Sequence, residues 1–513
     1  MNIAKKAMYR LRLSDLLDGL TDILDSSLSA LQLEITGMQI DSRLLQPGDL
    51  FIACFGKNYD ARNYIDEAIL DGSSVVLVES DCKWRGIEFR SGVPVIAIDN
   101  LRNKISEISS RFYGKPSEKL NVVGITGTNG KTTCSQFIAQ SLLGLGHKCG
   151  VLGTLGYGLP GDLRQTALTT PDALITQRLL SEMVENEICN IAMEVSSIGL
   201  HQQRVSSVKF NTAIFTNLSR DHLDYHKDME DYARNKRRLF IMPNLKSAII
   251  NLDDIHAVSI INSIASDVEI LTYSMSNMNA SVYAEVANFT RAGYEADIWT
   301  PLGKGKISGK LIGGFNLSNA LAVTTYLSHF ATKTEGIGIQ EICDQISSLQ
   351  SVDGRMEIIG NNTEVEVIID YAHTPDALKS ALSAVSSHFD GKIWCIFGCG
   401  GNRDKGKRSI MGEVAEQHAD YLVVTDDNPR NEPGDDIIQH ILSGVSESQE
   451  VSIIRDRAKA IKFAIKNASA GDVVLIAGKG HETCQDALGT KNKFNDSVEA
   501  RLALQERGFE IDR

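Results

Sequence analysis

The sequence predicts an α/β protein built on parallel sheets, and three observations support this fold class. Short apolar runs of four to six residues alternate with segments of helical periodicity over much of the chain. Several of these runs are almost continuously apolar, as in parallel strands that are covered on both faces. Each run ends in polar or glycine-rich residues, at the position where open α/β sheets bind their ligands.

Length and charge narrow the possible functions. The 513 residues allow three or four domains at roughly 150 residues per domain. The net charge of −13 argues against a nucleic-acid-binding protein, because such proteins usually carry a basic surface. A local basic site for an anionic small molecule remains compatible with this charge, so we expect small-molecule substrates and no nucleic acid.

The composition is that of a globular protein, with 42% hydrophobic and 23% charged residues, which excludes a disordered chain and a small disulfide scaffold. No stretch approaches the ~18 apolar residues of a membrane span. Asp15 and Asp18 interrupt the apolar core that a secretory signal would need. The nine cysteines are scattered without a CxxC pair, as is typical of reduced thiols. We therefore expect a cytoplasmic protein without a membrane span.

The first ~115 residues alternate short strands and helices. The Pro47-Gly48 pair predicts a turn before a strand over Leu50–Ala53. A helix is predicted over Ile65–Leu70 and a strand over Val75–Val78. A second turn is predicted at Gly56–Asp60, where the pattern alone fits a surface turn as well as a binding loop.

Two further sets of apolar runs follow a linker predicted at Gly114–Ser117. They predict strands over Asn121–Ile125, Asn190–Val195, Thr212–Phe215, Val365–Ile369, Ile393–Phe397, Tyr421–Val424 and Val473–Ile476. The change from the first set to the second falls near Asp353. Two such sheets facing one another would frame a ligand cleft at their carboxyl edges.

The first of these strands leads into a candidate phosphate loop, Thr126–Thr133, which is followed by a helical segment. Glycines let backbone N–H groups approach phosphate oxygens, and a helix N-terminus favours anions. In such loops the lysine, here Lys131, reaches the β- and γ-phosphates, and the hydroxyl of Thr132 binds Mg²⁺. The spacing departs from GxxxxGK[ST] because Ile125 occupies the first glycine position. The alternative, a glycine-rich turn with an exposed lysine, fits the flanking strand and helix poorly.

The loop Gly127–Thr132 resembles the GTxGKT loop of the Mur ligase family, ATP-dependent amino-acid ligases of peptidoglycan synthesis. The resemblance implies the three-domain Mur ligase architecture, with a central P-loop-type parallel sheet and a Rossmann-like C-terminal domain. It predicts a UDP-binding domain over residues 1–117, an ATP-binding domain over 118–353 and an amino-acid-binding domain over 354–513.

One acidic residue and two histidines are considered as candidates for binding Mg²⁺. Glu194 ends a predicted strand beside the phosphate loop, where a carboxylate is well placed to bind Mg²⁺. His222 and His226 are four residues apart, and the spacing alone fits a core or solvated pair better than a metal pair. The neighbouring motifs favour a metal role for His222 and leave that of His226 open.

Lys236 lies on the apolar stripe of a helix predicted over Met229–Phe240. Burial and nearby cations lower the pKa of a lysine, and a neutral amine reacts with CO₂ to form a carbamate, which is an anionic Mg²⁺ ligand. Periodicity alone favours a lysine that snorkels from the helix edge. The resemblance favours the carbamate, because Mur ligases typically carry N6-carboxylysine in a similar segment.

The resemblance assigns the other site residues by their matching motifs. Expected to bind ATP are Gly127, Thr128, Asn129, Gly130, Lys131, Thr132, Thr133, Asn319, Arg355 and Asp370. Expected to bind the UDP-muramoyl dipeptide are Ile40, Ser42, Lys57, Asn58, Tyr59, Thr169, Thr170, Ser196, Gln202 and Arg204. Expected to bind the incoming amino acid are Arg403, Asp427, Asn428, Pro429, Arg430, Gly478 and Glu482. The residues expected to bind Mg²⁺ are Thr132, Glu194, His222 and carbamylated Lys236. The residues expected to act in catalysis are Lys131, Glu194, His222 and Lys236.

The implied reaction adds meso-diaminopimelate to the D-glutamate of UDP-N-acetylmuramoyl-L-alanyl-D-glutamate through an acyl phosphate. The tetrapeptide Asp427–Arg430 marks the diaminopimelate-adding members, and arginine suits bidentate capture of a carboxylate. We expect a monomer.

Three alternative functions fit the sequence less well. A lysine-adding ligase of the same family would usually lack Arg430. A folylpolyglutamate synthase-like ligase has no need of the N-terminal uridine segments. A non-enzymatic P-loop protein has no need of Glu194, Lys236 and Arg430 together.

Overall fold

The computed structural model describes residues 9–21, 28–56, 60–360, 363–447 and 449–509. Its three main sheets lie within residues 37–98, 121–309 and 357–477, and helices pack on their faces. The predicted α/β class is confirmed. The domain boundaries predicted after residues 117 and 353 fall between these sheets and stay a prediction. In the described part of the chain, no helix is both long and apolar enough to cross a bilayer.

The N-terminal sheet is formed by five short strands. The elements of this region are β1 Leu11–Arg12, α1 Leu13–Leu17, α2 Leu28–Leu31, β2 Glu34–Ile35, β3 Gly37–Gln39, β4 Asp49–Ala53, α3 Ile65–Leu70, β5 Val75–Glu79, β6 Ile87–Arg90, β7 Val93–Ile98 and α4 Leu101–Phe112. The strand order is β3-β4-β5-β7-β6, and only β6 runs antiparallel to its neighbour. The predicted turn, strand and helix around β4 and α3 are present.

The middle sheet has eleven strands, and seven adjacent ones run parallel to one another in six neighbouring pairs. Its elements are β8 Asn121–Thr126, α5 Lys131–Gly144, β9 Cys149–Gly153, β10 Gly156–Leu159, β11 Asp162–Arg164, α6 Ala173–Glu185, β12 Asn190–Glu194, α7 Ser197–His201, β13 Thr212–Phe215, α8 Met229–Arg237, β14 Ser247–Asn251, α9 Ala257–Ile261, β15 Glu269–Ser274, β16 Val282–Thr290, β17 Gly293–Thr300, β18 Gly303–Gly309, α10 Gly314–Ala331 and α11 Ile339–Ser347. The order is β11-β10-β9-β12-β8-β13-β14-β15-β16-β17-β18.

The position of β8 in this sheet determines where the phosphate loop lies. Strand β8 pairs in parallel with β12 on one side and β13 on the other. The carboxyl ends of the three strands therefore meet at one edge, together with the segments that follow them. Buried cores cover both faces of the sheet, which explains why these strands are apolar at almost every position.

The C-terminal sheet is parallel except at one edge. Its elements are β19 Glu357–Ile359, β20 Glu366–Asp370, α12 Pro375–His388, β21 Ile393–Phe397, α13 Gly406–His418, β22 Tyr421–Val424, α14 Gly434–Leu442, β23 Val451–Ile453, α15 Arg457–Asn467, β24 Val473–Ala477, β25 Cys484–Ala487, β26 Thr490–Lys493 and α16 Asp496–Glu506. The order is β19-β20-β24-β21-β22-β23, and β19 alone is antiparallel. Strands β25 and β26 form a separate hairpin.

The predicted linker after α4 is packed rather than extended. Pro116 begins a short 3₁₀ helix through Lys119, as the fixed φ of proline favours at a helix start. Pro116 and Ser117 are buried, and the hydroxyl of Ser117 accepts a 3.0 Å hydrogen bond from the backbone of Lys209. Pro116 and Ser117 thus pack against the middle region, whereas Gly114 and Lys115 are exposed.

Candidate active site

A cavity of about 650 Å³ lies between the carboxyl edge of the middle sheet and that of the C-terminal sheet. Segments that are distant in sequence line it, including Thr128–Thr133, Thr216–Ser219 and Asp370–His373. The residues predicted for ATP, Mg²⁺ or the dipeptide that line it are Thr128, Asn129, Gly130, Lys131, Thr132, Thr133, Thr169, Glu194, Ser196, His222, Lys236, Asn319, Arg355 and Asp370. The cleft expected between two facing sheets is therefore present.

The phosphate loop has the backbone conformation that its glycines allow. Gly130, with φ +84°, precedes the first residue of α5, and a Cβ added there would approach Asn319 Oδ1 to 2.5 Å. Asn217, which follows β13, holds the loop from the neighbouring strand. Its side-chain oxygen accepts from Asn129 N at 2.9 Å and its carbonyl from Thr128 N at 2.8 Å. The sequence reasoning missed Asn217, which no motif distinguishes.

Lys131 is folded back over its own loop. Its ammonium donates to the carbonyl oxygens of Gly127 and Thr128, each at 2.8 Å. Burial lowers the pKa of Lys131, while the charges of Glu194 and Asp221 oppose that effect. The lysine is therefore held at the loop where phosphate oxygens would bind, inside the cavity.

Glu194 is buried at the end of β12 and accepts three hydrogen bonds. Its Oε2 accepts from Thr132 Oγ1 at 2.9 Å and from Thr154 Oγ1 at 3.0 Å, and its Oε1 accepts from Thr154 N at 2.8 Å. Thr169 Oγ1 lies 3.0 Å from Thr154 Oγ1. Thr154, which sequence reasoning missed, follows β9 and meets Glu194 only because β9 pairs with β12. A carboxylate and a hydroxyl at the phosphate loop are oxygen donors that fit Mg²⁺.

His222 lies on the loop after β13 with φ +54°. Its Nε2 lies 3.5 Å from Asp221 Oδ2, and burial lowers the pKa of His222 to about 4. Burial alone would raise the pKa of Asp221, but His222, His373 and Lys407 lower it to about 2. His373 comes from the segment after β20, and its Nε2 lies 3.8 Å from the same Asp221 oxygen. The sequence did not predict the contact between Asp221 and His373, because the two residues meet only where the middle and C-terminal sheets face each other.

Both ring nitrogens of His226 have side-chain hydrogen-bond partners, so its position in the fold does not require a metal ion. Its Nε2 lies 2.9 Å from Ser197 Oγ and its Nδ1 3.3 Å from Asp231 Oδ2. The ring is buried and packs against those of Tyr225 and Tyr232. Of the two histidines, His222 lines the cavity and His226 is a hydrogen-bonded core residue.

Lys236 is buried on α8, with 2% of the residue exposed. Its amine donates to Gly127 O at 2.6 Å and lies 4.5 Å from the centre of the Tyr232 ring. Burial, and then the charge of Lys131, lower the pKa of Lys236 well below its usual value. The neutral amine that carbamate formation requires is therefore favoured. The cation that contributes to this effect is Lys131, which lies on α5 and not on α8.

The helix that carries Lys236 is shorter than predicted. Helix α8 ends at Arg237, and a 3₁₀ turn over Arg238–Ile241 completes the segment that was expected to be helical through Phe240. The turn still buries Leu239 and Phe240, so the apolar pattern is kept although the helix type changes.

The described part of the chain contains no metal site built from acidic, cysteine and histidine side chains alone. Within the residues that the structure describes, no three His, Cys, Asp or Glu side chains come together closely enough to hold an ion. The predicted set uses the hydroxyl of Thr132 and a carbamate on Lys236, neither of which belongs to those residue types.

Arg355 links the C-terminal region to the phosphate loop. Its Nη2 lies 3.4 Å from Thr132 Oγ1, and its guanidinium lies 4.3 Å from the centre of the Tyr371 ring. Asp370, at the end of β20, accepts from the backbone N–H groups of Met356 and Ala372 at 2.9 and 2.8 Å. Burial raises the pKa of Asp370. The arginine is thus placed to approach an anion held by the loop.

The residues predicted to hold the dipeptide form a chain of contacts from Glu194. Thr170 Oγ1 donates to Glu194 O at 2.9 Å and accepts from Ser196 N at 2.9 Å. Arg204 donates to Thr170 O at 2.6 Å and to Gln202 Oε1 at 2.7 Å. These groups therefore lie beside the phosphate end of the cavity.

The N-terminal candidates lie at the end of β3. Ile40 follows that strand, and Ser42 begins a 3₁₀ helix over Ser42–Leu44. Neither residue lines the cavity between the other two sheets. Lys57, Asn58 and Tyr59 lie outside the described residues.

The amino-acid candidates form a second cluster, at the carboxyl ends of β21, β22 and β24. Asn428 Nδ2 donates to Glu482 Oε2 at 2.8 Å, and Arg430 Nη1 donates to Gly401 O at 2.8 Å. Arg403 Nη1 lies 3.8 Å from Asp224 Oδ2 in the middle region. The remaining predicted members are Asp427, Pro429 and Gly478. Lys479, which sequence reasoning did not assign, contacts two members of this cluster, Asn428 and Glu482.

Comparison with known proteins identifies the family. Residues 125–327 match the model of the Mur ligase middle domain, and residues 354–480 match that of the Mur ligase, glutamate ligase domain. A protein of Coxiella burnetii named UDP-N-acetylmuramoyl-L-alanyl-D-glutamate--2,6-diaminopimelate ligase is 44% identical over 491 residues, which cover 94% of this chain and 99% of that protein.

Solved structures agree with the sequence match. A structure of a ligase with the same name is similar with a TM-score of 0.69 and 33% identity, over 98% of this chain and all of the other. A Mycobacterium tuberculosis folylpolyglutamate synthase has a TM-score of 0.61 at 15% identity, over 80% of this chain and 96% of its own, which shows a shared fold alone. The predicted Mur ligase architecture is confirmed, and the chain belongs to the Mur ligase family.

Proposed function

We propose that this chain is an ATP-dependent ligase that joins meso-diaminopimelate to the D-glutamate of UDP-N-acetylmuramoyl-L-alanyl-D-glutamate, in the synthesis of peptidoglycan precursors. The observation that carries the proposal is the cavity in which a phosphate loop, Glu194 and Lys236 face residues of the C-terminal sheet. The name of the 44% identical relative supplies the substrates.

The proposed reaction has two chemical steps. An oxygen of the D-glutamate carboxylate attacks the γ-phosphorus of ATP, the bond to the bridging oxygen breaks, and ADP leaves with an acyl phosphate formed. The amine of diaminopimelate then attacks the acyl carbon, loses a proton, and phosphate leaves from the tetrahedral intermediate. Lys131 and Arg355 stabilise charge on the transferring phosphoryl group, since both reach the phosphate loop.

Thr132, Glu194, His222 and Lys236 as its carbamate are proposed to hold Mg²⁺. When bound, the ion neutralises negative charge on the phosphate oxygens. A carbamate nitrogen keeps one hydrogen, so a carbamylated Lys236 would still be able to donate to Gly127 O, and its carboxylate would supply a charged oxygen ligand for the ion. Asn319 and Asp370 are proposed to hold the nucleoside of ATP, together with the loop residues already described.

The cluster in the C-terminal region is proposed to bind diaminopimelate. Arg403 and Arg430 are suited to its carboxylates, because arginine binds carboxylates in a bidentate manner. Glu482, Asp427 and Asn428 are suited to its distal amino-acid end. Arg430 has φ +51°, a conformation that costs energy in any residue except glycine. Backbone pairing of Arg430 with Asp486 and Leu488 holds it there.

The uridine nucleotide is proposed to bind the N-terminal region through Ile40, Ser42 and the segment of residues 57–59. Its dipeptide would extend to Thr169, Thr170, Ser196, Gln202 and Arg204. We also propose that the protein acts as a monomer in the cytoplasm, which light scattering of the purified protein and fractionation of cells would test.

Turnover assays test the function. The protein is incubated with ATP, Mg²⁺, the UDP-muramoyl dipeptide and either meso-diaminopimelate or L-lysine, and ADP and the tripeptide product are measured. Turnover that requires meso-diaminopimelate is expected. Equal turnover with L-lysine would contradict the specificity, and turnover with neither would contradict the function.

A further inference from the structure

Lys479 is a buried lysine in the turn that follows β24. The residue is 0% exposed, although a lysine ammonium is costly to remove from water unless acceptors surround it. It lies between Gly478 and Gly480, whose φ values are +117° and +51°. A Cβ on Gly478 would approach Asp427 Oδ2 to 2.6 Å, so the glycine lets this turn approach the Asp427–Arg430 segment closely.

The acceptors of Lys479 are two side chains of the proposed amino-acid site. Its Nζ donates to Asn428 Oδ1 at 3.0 Å and to Glu482 Oε2 at 2.8 Å. Asn428 Nδ2 also donates to Glu482 Oε2, at 2.8 Å. The three side chains therefore form a closed triangle of hydrogen bonds, in which each member contacts the other two.

The triangle fixes the orientation of both partners. Asn428 Oδ1 accepts from Lys479 and, at 2.9 Å, from the backbone of Asp486, so a flipped amide would place its NH₂ group against two donors. Both bonds to the Glu482 carboxylate end on Oε2. The other oxygen, Oε1, is thereby left for a further donor.

We propose that Lys479 is a positioning residue: it orients Asn428 and Glu482 so that these two side chains can bind the incoming amino acid. The inference rests on the proposed function, because it assumes that these two side chains bind the distal ammonium and carboxylate of diaminopimelate. Lys479 itself does not touch the ligand. Its positive charge also offsets the charge of Glu482, whose Oε2 lies 2.8 Å from the ammonium.

The first test replaces Lys479 by methionine, which has a similar length and no charge. Loss of two charge-assisted hydrogen bonds is expected to raise KM for meso-diaminopimelate by about 10- to 100-fold. The KM values for ATP and for the UDP-muramoyl dipeptide should stay within about twofold, since those sites do not contact the triangle. Lys479→Arg keeps the charge and should recover part of the loss. The exposed Lys466 on α15 offers the matched control, Lys466→Met, in which no KM should change.

A double-mutant cycle keeps the proposal testable if Lys479→Met is unstable. Because Lys479 acts through Glu482, its substitution should change KM for diaminopimelate far less in a Glu482→Gln background than in the wild type. Lys479→Gln, which also removes the charge, can replace the methionine variant in this cycle. Thermal unfolding of each variant reports folding separately.

The outcomes are distinct. An unchanged KM for diaminopimelate in folded Lys479→Met, an equal rise of all three KM values, or additive effects in the cycle would overturn the inference. If the wild-type protein does not turn over meso-diaminopimelate at all, the proposed function fails first.

Discussion

The amine of Lys236 donates a 2.6 Å hydrogen bond to the backbone carbonyl of Gly127, the first glycine of the phosphate loop. Helix α8 and the loop after β8 are more than a hundred residues apart in sequence. The contact places the lysine proposed to carry a carbamate directly beneath the loop proposed to hold the phosphates of ATP. Chemistry at Lys236 and nucleotide binding are therefore expected to depend on one another.

Replacing Lys236 with alanine should lower ligase activity at least ~100-fold, because a charged ligand for Mg²⁺ and a contact to the loop are both lost. Short-chain carboxylic acids should restore part of the activity by occupying the position of the carbamate. Lys227 is an exposed lysine just before α8, and the control variant Lys227→Ala should keep full activity. Normal turnover of the Lys236 variant would refute its role.

Removal of divalent metal with a chelator should abolish turnover, and added Mg²⁺ should restore it. Glu194→Gln should raise the Mg²⁺ concentration for half-maximal activity about tenfold or more, since the amide keeps the shape but lacks the charge. Activity measured over a magnesium titration checks this. If the Glu194 variant needed no more Mg²⁺ than the wild type, Glu194 would not act on the metal.

Arg355→Ala should raise KM for ATP by about tenfold, because the guanidinium near Thr132 Oγ1 is lost from the phosphate end of the cavity. The KM for meso-diaminopimelate should change little, since that cluster lies elsewhere. Exposed Arg291, which pairs with Glu366 3.2 Å away, gives the control Arg291→Ala. Equal effects on both KM values would point to a general loss of structure.

Arg220 and Asp404 form an ion pair of 3.1 Å between the middle and C-terminal regions, which are expected to move relative to each other when the site closes. Arg220 is 42% exposed, so Arg220→Asp should favour open forms only modestly. In small-angle scattering without ligands, Arg220→Asp should have a larger radius of gyration than the wild type. The double variant Arg220→Asp with Asp404→Arg, in which the two charges are exchanged, should return the radius to the wild-type value. An identical radius in all three proteins would exclude this contact as a determinant of closure.

His388 on α12 should make stability fall in mild acid. Its Nε2 accepts from Gly313 N at 2.9 Å and its Nδ1 donates to Thr290 O, which is possible only for the neutral ring. Burial lowers the pKa of His388 from 6.5, so the unfolded chain binds the proton more readily. The contribution is complete above pH ~6.5 and is lost as pH falls below it. Melting temperatures between pH 7.5 and 5.5 should fall more steeply in the wild type than in His388→Gln; parallel curves would disprove the effect.

Much of the fold could be predicted because its strands and helices follow from hydrophobic patterns within short segments of the sequence. The strands that became β8, β13, β21 and β22 are each a run of consecutive apolar residues, and parallel strands covered on both faces require such runs. The phosphate loop could be predicted for the same reason, since its chemistry depends on residues that are adjacent in sequence. The helix around Lys236 was predicted too long because the 3₁₀ turn that follows it still buries Leu239 and Phe240, so the apolar pattern continues past the end of α8.

The sequence by itself determined the fold class, the phosphate loop and the residue types of each site. Only the tertiary structure decided that Thr154 binds Glu194, that Asp221 faces His373, and that Lys479 joins Asn428 to Glu482. It also showed His226 to be a core residue, which spacing had left open. The physical reason is distance along the chain: these contacts form where parallel strands bring their carboxyl ends to one edge, and no local periodicity encodes which side chains then meet.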